Sequence, residues 1–284
     1  MSTGINYLDE VWNPVTGCQG KNCPTKDTCW ARAWVKWRPA IHGCYNYDDP
    51  RGREKGPYPI HLGRYPIPFH KVQFHPDRLE KPLHWKKPRR IGACFMGDLF
   101  DEQAHRDWFL RIILVIRRCP QHIFFFLTKQ VDRMVRLATE WVRPSETLAD
   151  MTLQIKELPE NIYWGVSITS QVDADRMIPE LLRIPGRRWI SWEPALGPVD
   201  FLAVPAGSVP GYAGLRFSDM IHWIIMGTES GTKRRPCPHK WMIDAVKQCR
   251  ATKVPVWVKQ IEIEGKVCTD ITKFPKELQV RELP

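Results

Sequence analysis

No apolar run in the 284-residue chain approaches the roughly 18 to 20 residues that a membrane span needs. The opening Met1-Ser2-Thr3-Gly4-Ile5-Asn6 has neither a basic nor an apolar leader region. A soluble cytoplasmic protein with no membrane partner and with reduced cysteines is therefore expected. The full glycine fingerprint of dinucleotide sites and the Walker phosphate loop are missing too, as are sequence repeats and low-complexity tracts. Acidic residues are the minority charge, 31 against 42 Lys and Arg, which leaves a formal charge of +11 and points to a polyanionic partner, nucleic acid. Apolar residues are not scarce: 43% hydrophobic content with 13 tryptophans excludes a disordered chain.

The nine cysteines are an odd number, and in a reducing setting clustered cysteines indicate metal or catalysis rather than a disulfide framework. Three of them, Cys18, Cys23 and Cys29, share one short polar loop between Thr16 and Trp30, with four and then five residues between them. Three thiolates can hold a metal centre while leaving it one ligand short. Iron–sulfur clusters are held this way, and three ligands on a four-iron cluster leave one iron free to bind another molecule. Structural zinc usually takes paired short spacings and four ligands. A zinc site on Cys18, Cys23, Cys29 and Cys44 is one alternative, and a chance gathering of cysteines is another. Cys94, Cys119, Cys237, Cys249 and Cys268 read as small buried hydrophobes.

Residues 42–88 are dense in proline, basic and aromatic residues, which excludes a long helix or a central strand. They read as a surface insertion on a single domain of residues 1–284. The insertion is also a candidate nucleic-acid contact, since cations neutralise phosphates and aromatic faces stack on bases; the plainer reading is a loop packed by its own aromatics. From Arg90 onward a βα rhythm appears. Strands are expected at Ile91–Met96, His122–Leu127, Ile162–Ser167, Trp189–Trp192, Trp223–Met226 and Val254–Val258, with a short one near Tyr7–Trp12. Helices are expected at Asp101–Arg118, Val131–Trp141, Gln171–Arg183 and His239–Arg250. The near-continuous apolar strands suit a parallel sheet covered on both faces. The fold class is α/β, a partial TIM-like βα barrel of about six to seven parallel strands, with an open doubly wound sheet as the other possibility.

In such barrels the site forms at the C-terminal strand ends. Those ends carry Cys18, Gly97-Asp98, Thr128-Lys129, Ser167, Glu193, Gly227 to Gly231 and Lys259-Gln260. Glu193 and Glu229 follow buried strands, where an unpaired charge is costly. Lys129, Lys259 and helix N-termini are the expected partners.

The blocks Trp12 to Cys18, Met96-Gly97-Asp98-Leu99-Phe100, Leu127-Thr128-Lys129, Trp164-Gly165-Val166-Ser167, Trp192-Glu193-Pro194, Gly227 to Gly231 and Val258-Lys259-Gln260 resemble those of a phage and prophage family whose three-cysteine motif is like that of radical S-adenosylmethionine enzymes. The resemblance spans nearly the whole chain, although familiar radical enzymes space their cysteines by three and two residues. It implies a [4Fe-4S] cluster on Cys18, Cys23 and Cys29, S-adenosylmethionine on the open iron, and an external electron donor. By position, it also implies that Gly97 and Asp98 receive the methionine amino group. Ser167 and Glu193 would lie near the ribose and carboxylate, and Gly227 and Glu229 near the adenine. Lys129, Glu229 and Lys259 are the candidate catalytic residues. The phage association implies modification of a nucleobase in DNA, one fitting reaction being isomerisation of an amino-acid-bearing thymine.

Overall fold

A two-residue alternation along each strand organises the computed structural model, which describes residues 5–21, 23–37, 68–140, 157–205, 211, 214–231 and 233–284. In chain order the elements are β1 (Glu10–Trp12), β2 (Val15–Thr16), α1 (Trp30–Trp37), β3 (Gln73–Phe74), α2 (Pro76–Leu79), β4 (Arg90–Ala93), α3 (Arg106–Arg117) and β5 (Ile123–Phe125). Then come α4 (Val131–Glu140), β6 (Ile162–Ile168), α5 (Gln171–Leu182), β7 (Arg187–Trp192), α6 (Phe217–Met220), β8 (Trp223–Gly227), α7 (His239–Thr252), β9 (Val256–Ile263) and β10 (Lys266–Cys268). The main sheet has eight strands in the order β1-β4-β5-β6-β7-β8-β9-β10. Every neighbouring pair is parallel except β9 and β10. That antiparallel hairpin turns on Glu264 and Gly265, both at positive φ (48° and 73°), the geometry of a two-residue primed turn. A smaller sheet pairs β2 with β3.

On β6, Ile162, Trp164, Val166 and Ile168 face the helices, where they join Met177, Ile178 and Leu181 of α5 in the larger core. Tyr163 points the other way, into a second core with Phe125, Trp189, Trp223, Ile225 and Trp257. The sheet is curled, and this second core fills its concave face. Tyr7 shows the curl directly. It precedes the edge strand β1, yet its ring lies 6.4, 5.6 and 6.4 Å from the rings of Trp189, Trp223 and Trp257 on β7, β8 and β9. The result is an α/β half-barrel, plugged by aromatic rings and open along one side.

All the strands expected from the apolar runs are present; β1, β4 and β5 are shorter than expected, β6, β7 and β8 are one or two residues longer, and β9 starts two residues later and runs five further. The helix expected from Asp101 starts at Arg106, because Asp101 is turned toward the cysteine loop and His105 caps the helix by accepting from Asp107 N at 3.4 Å. Of the proline-rich stretch, residues 42–67 lie outside the described residues, as does Cys44. Residues 68–88 carry β3 and α2, and Phe69 is buried against the cysteine loop. Among the described residues no helix is long and apolar enough to cross a membrane.

Candidate functional site

At the C-terminal ends of the parallel strands lies a cavity of about 440 Å³. Cys18, Cys23 and Cys29 all line it, together with Gly97, Asp98, Lys129, Ser167, Glu193, Glu229 and Lys259. Of the candidate metal, cofactor and catalytic residues, Gly227 alone stands behind the wall; a β-carbon there would meet Gln260 Cγ at 3.3 Å and the Glu193 carboxyl carbon at 3.6 Å. Tyr7, Phe95 and Leu127 also line the cavity and belong to the aromatic core or pack against it.

The cysteine loop is held at both ends. At the front, Gly17 N donates to Met96 O at 3.1 Å and Asp98 N to Gly17 O at 3.0 Å, a parallel bridge beyond the end of β4. Gly97 is required there, because a β-carbon would lie 2.5 Å from both Gly17 N and Gly17 O. Cys18 N donates to Phe69 O at 2.8 Å. The Gln19 backbone and side-chain amides donate to the two Asp101 oxygens at 2.8 and 3.0 Å, and Lys21 pairs with Glu102 at 3.0 Å. At the back, Thr28 Oγ1 donates to Glu229 Oε1 at 2.7 Å. Arg235 donates to the same carboxylate from its backbone N and its Nε at 2.9 Å and from Nη2 at 2.5 Å, and its Nη1 reaches Pro24 O at 3.3 Å. The loop thus bridges the tops of β4 and β8 across the cavity mouth.

These contacts assign the carboxylates. Hydrogen bonds from Arg235, aided by Thr28, hold the Glu229 carboxyl down to about 2, so it stays ionised as a clamp. Glu193 forms an ion pair with Lys259, with side chains 16% and 19% exposed. Lys129 Nζ donates to Ser167 Oγ at 2.8 Å, and Ser167 Oγ donates to the Glu193 carbonyl at 3.3 Å. Burial pushes Asp98 up to about 6, against hydrogen bonds from Thr128 Oγ1 (2.9 and 2.8 Å) and Phe100 N (2.9 Å). Burial, followed by the charge of Asp98, also raises the Cys18 thiol well above the usual thiol range. Of the partners expected for the two carboxylates, Lys259 pairs with Glu193, whereas Glu229 takes Arg235. Arg235 and Asp101 were not picked out from the sequence as site residues; Asp101 alone had a signal, since it directly follows the Met96-to-Phe100 block.

Among the described residues no three His, Cys, Asp or Glu side chains are grouped as they would be around one metal ion. Cys18, Cys23 and Cys29 nevertheless line the one cavity, and cysteine thiolates are the donors that iron–sulfur clusters take. Two features suit a polar ligand beside it. Thr228 Oγ1 is buried on the cavity wall with no hydrogen-bond partner. Asp98 Oδ2 takes one hydrogen bond, from Thr128, and keeps acceptor capacity.

Fold and site together define an α/β half-barrel protein with a thiol-lined cavity at its C-terminal strand ends. Residues 2–283 match a family described as a protein of unknown function (DUF5131), and the chain belongs to that family. No curated protein and no solved structure matches it.

Proposed function

We propose that the protein is a radical S-adenosylmethionine enzyme with a [4Fe-4S] cluster on Cys18, Cys23 and Cys29, that its half-barrel is a partial TIM-like barrel, and that its substrate is a nucleobase in DNA. The observation that carries this reading is the convergence of three loop thiols on one cavity at the ends of parallel strands, beside the unsatisfied hydroxyl of Thr228. When bound, the cluster and S-adenosylmethionine supply one-electron cleavage of the sulfonium bond and removal of a hydrogen atom from the substrate.

The chain's own residues orient and shield that chemistry. Glu229 and Arg235 fix the loop from the β8 side, and Asp101 fixes it from the β4 side. Asp98 Oδ2 and Thr228 Oγ1 offer polar contacts to the methionine and adenosine portions. The Glu193–Lys259 pair presents a neutralised floor. Lys129 is held by a hydroxyl rather than a carboxylate, so its ammonium is the floor cation available to donate a proton or hold a substrate anion. Tyr7, Phe95 and Leu127, of or packed against the aromatic core, give the cavity an apolar wall. The charge of +11 suits a DNA partner, and an isomerisation of a substituted thymine, neutral in electrons overall, fits a cofactor that returns its hydrogen.

Protein purified and reconstituted without oxygen, given dithionite and S-adenosylmethionine, is expected to release 5′-deoxyadenosine. Nucleosides digested from DNA treated this way should contain a product absent from untreated DNA. Intact S-adenosylmethionine in protein incubated without DNA, together with no new nucleoside when DNA is present, contradicts the proposal.

A further inference from the structure

Two cationic side chains, Lys26 and Arg32, line the cavity without a counter-charge among the described residues. A β-carbon placed on Gly20 would lie 3.2 Å from Lys26 Cγ and 3.5 Å from Arg32 Nη2, so the Lys26 stem and the Arg32 guanidinium lie over one part of the cysteine loop. Their neighbours are neutralised: Lys21 by Glu102, Arg235 by Glu229 and Lys259 by Glu193. Among the described residues Lys26 and Arg32 pair with no carboxylate, and Asp27, next to Lys26 in sequence, bonds to neither. Arg32 Nε is buried with no hydrogen-bond partner, while its guanidinium lies 5.9 Å over the Phe69 ring. A buried N–H left unmatched costs free energy. A polyoxygen anion beside this guanidinium can supply the missing acceptor. The guanidinium fork matches phosphate oxygens in pairs, and lysine binds phosphate as a point charge. Trp30 lines the same cavity, lies between these two residues in sequence and is 47% exposed.

We propose that Lys26 and Arg32 form a phosphate-binding subsite at the cavity rim, and that Trp30 offers a stacking face to the base attached to that phosphate. This deepens the reading above by naming what holds the nucleotide, and it rests on that reading for the nucleic-acid substrate. The phosphate can belong to a strand or to a free nucleotide. A strand phosphate at the rim would position its base over the cavity, as base-modifying enzymes require.

The test is fluorescence anisotropy of a labelled single-stranded oligonucleotide with the full chain, across a range of salt concentrations. Lys26→Ala and Arg32→Ala are each expected to weaken binding about eightfold at about 0.1 M salt, and to lower the salt slope by about one. Arg32→Lys should recover part of the loss. Trp30→Ala should weaken binding with the salt slope unchanged. Lys247→Ala, an exposed lysine on α7, should behave like the parent. Competition by thymidine monophosphate as strong as by unlabelled strand assigns the phosphate to a free nucleotide; competition by strand alone assigns it to nucleic acid. Failure of the parent to bind either, or Lys26 and Arg32 variants indistinguishable from Lys247→Ala, overturns the proposal. Because binding is read without turnover, an inactive protein that still shows these losses counts against the radical chemistry and leaves the subsite standing.

Discussion

Trp189 and Ser191 sit two residues apart on one face of β7, and Trp257 and Lys259 do the same on β9. In each pair the first residue belongs to the aromatic core and the second lines the cavity. The concave face thus passes from a dry stack of rings to a polar chamber within about one strand repeat, roughly 7 Å. At the aromatic end, burial of large side chains supplies stability. At the polar end, charges are arranged in pairs, at a cost that the packing below offsets. Tyr7, Phe95 and Leu127 join the two ends, since they line the cavity and also belong to the ring stack or pack against it.

Substitutions at the two ends should separate stability from site chemistry. The largest loss is expected from Trp189→Ala, about 3–5 kcal/mol in denaturant unfolding, because it empties the middle of the plug and frees the Phe126 carbonyl that the indole contacts at 2.9 Å. Ser191→Ala, two residues along, should cost under about 1 kcal/mol. Equal losses at the two positions would erase the distinction.

Next comes Asp98. Its carboxyl is raised from 3.8 to about 6 in the fold, so its contribution is full below about pH 4 and is lost as pH rises through about 6. Metal-free protein should therefore lose about 1–3 kcal/mol between pH 4 and pH 8 from this group, and Asp98→Asn should flatten that dependence. A parent profile no steeper than that of the variant contradicts the assignment.

The smallest effect belongs to the clamp. Glu229 is lowered from 4.5 to about 2, so its contribution is present above about pH 4.5 and is lost as pH falls toward 2. Arg235 is 43% exposed, so Arg235→Ala should cost about 1 kcal/mol at neutral pH and leave a shallower acid dependence. Protease cutting within the cysteine loop should rise in the same variant, and an unchanged cutting rate would show that the loop is held by its β4 end alone.

Much of the fold was legible because parallel strands covered on both faces write themselves as apolar runs, Ile162 to Ser167 and Trp223 to Met226 above all. The concave core was not. Gly165 looked like one letter of a motif, whereas a β-carbon there would lie 2.2 Å from Trp189 Nε1, so its role depends on a ring two dozen residues away. Nor could spacing reveal that Tyr7 crosses to β7, β8 and β9, since that contact needs the sheet to curl. The cavity residues were found by one rule, polar residues at the ends of apolar strands, which collects Asp98, Lys129, Ser167, Glu193, Glu229 and Lys259. The rule misses side chains that come from loops, and so Arg235 and Asp101, which tie the cysteine loop down, went unseen. Partner choice was equally hidden: Glu193 takes Lys259 because β7 and β9 flank β8 in a curled sheet, while Glu229 takes an arginine six residues further along its own loop.

The central claim is that Cys18, Cys23 and Cys29 together hold an iron–sulfur cluster in the cavity. Iron, sulfide and zinc measured per chain, on protein reconstituted without oxygen, test it most directly. The account predicts about four iron for the parent and for Cys249→Ala, a thiol buried in α7, and almost none for Cys18→Ala, Cys23→Ala or Cys29→Ala. One zinc per chain in the parent, or iron retained after any of the three loop substitutions, would contradict it.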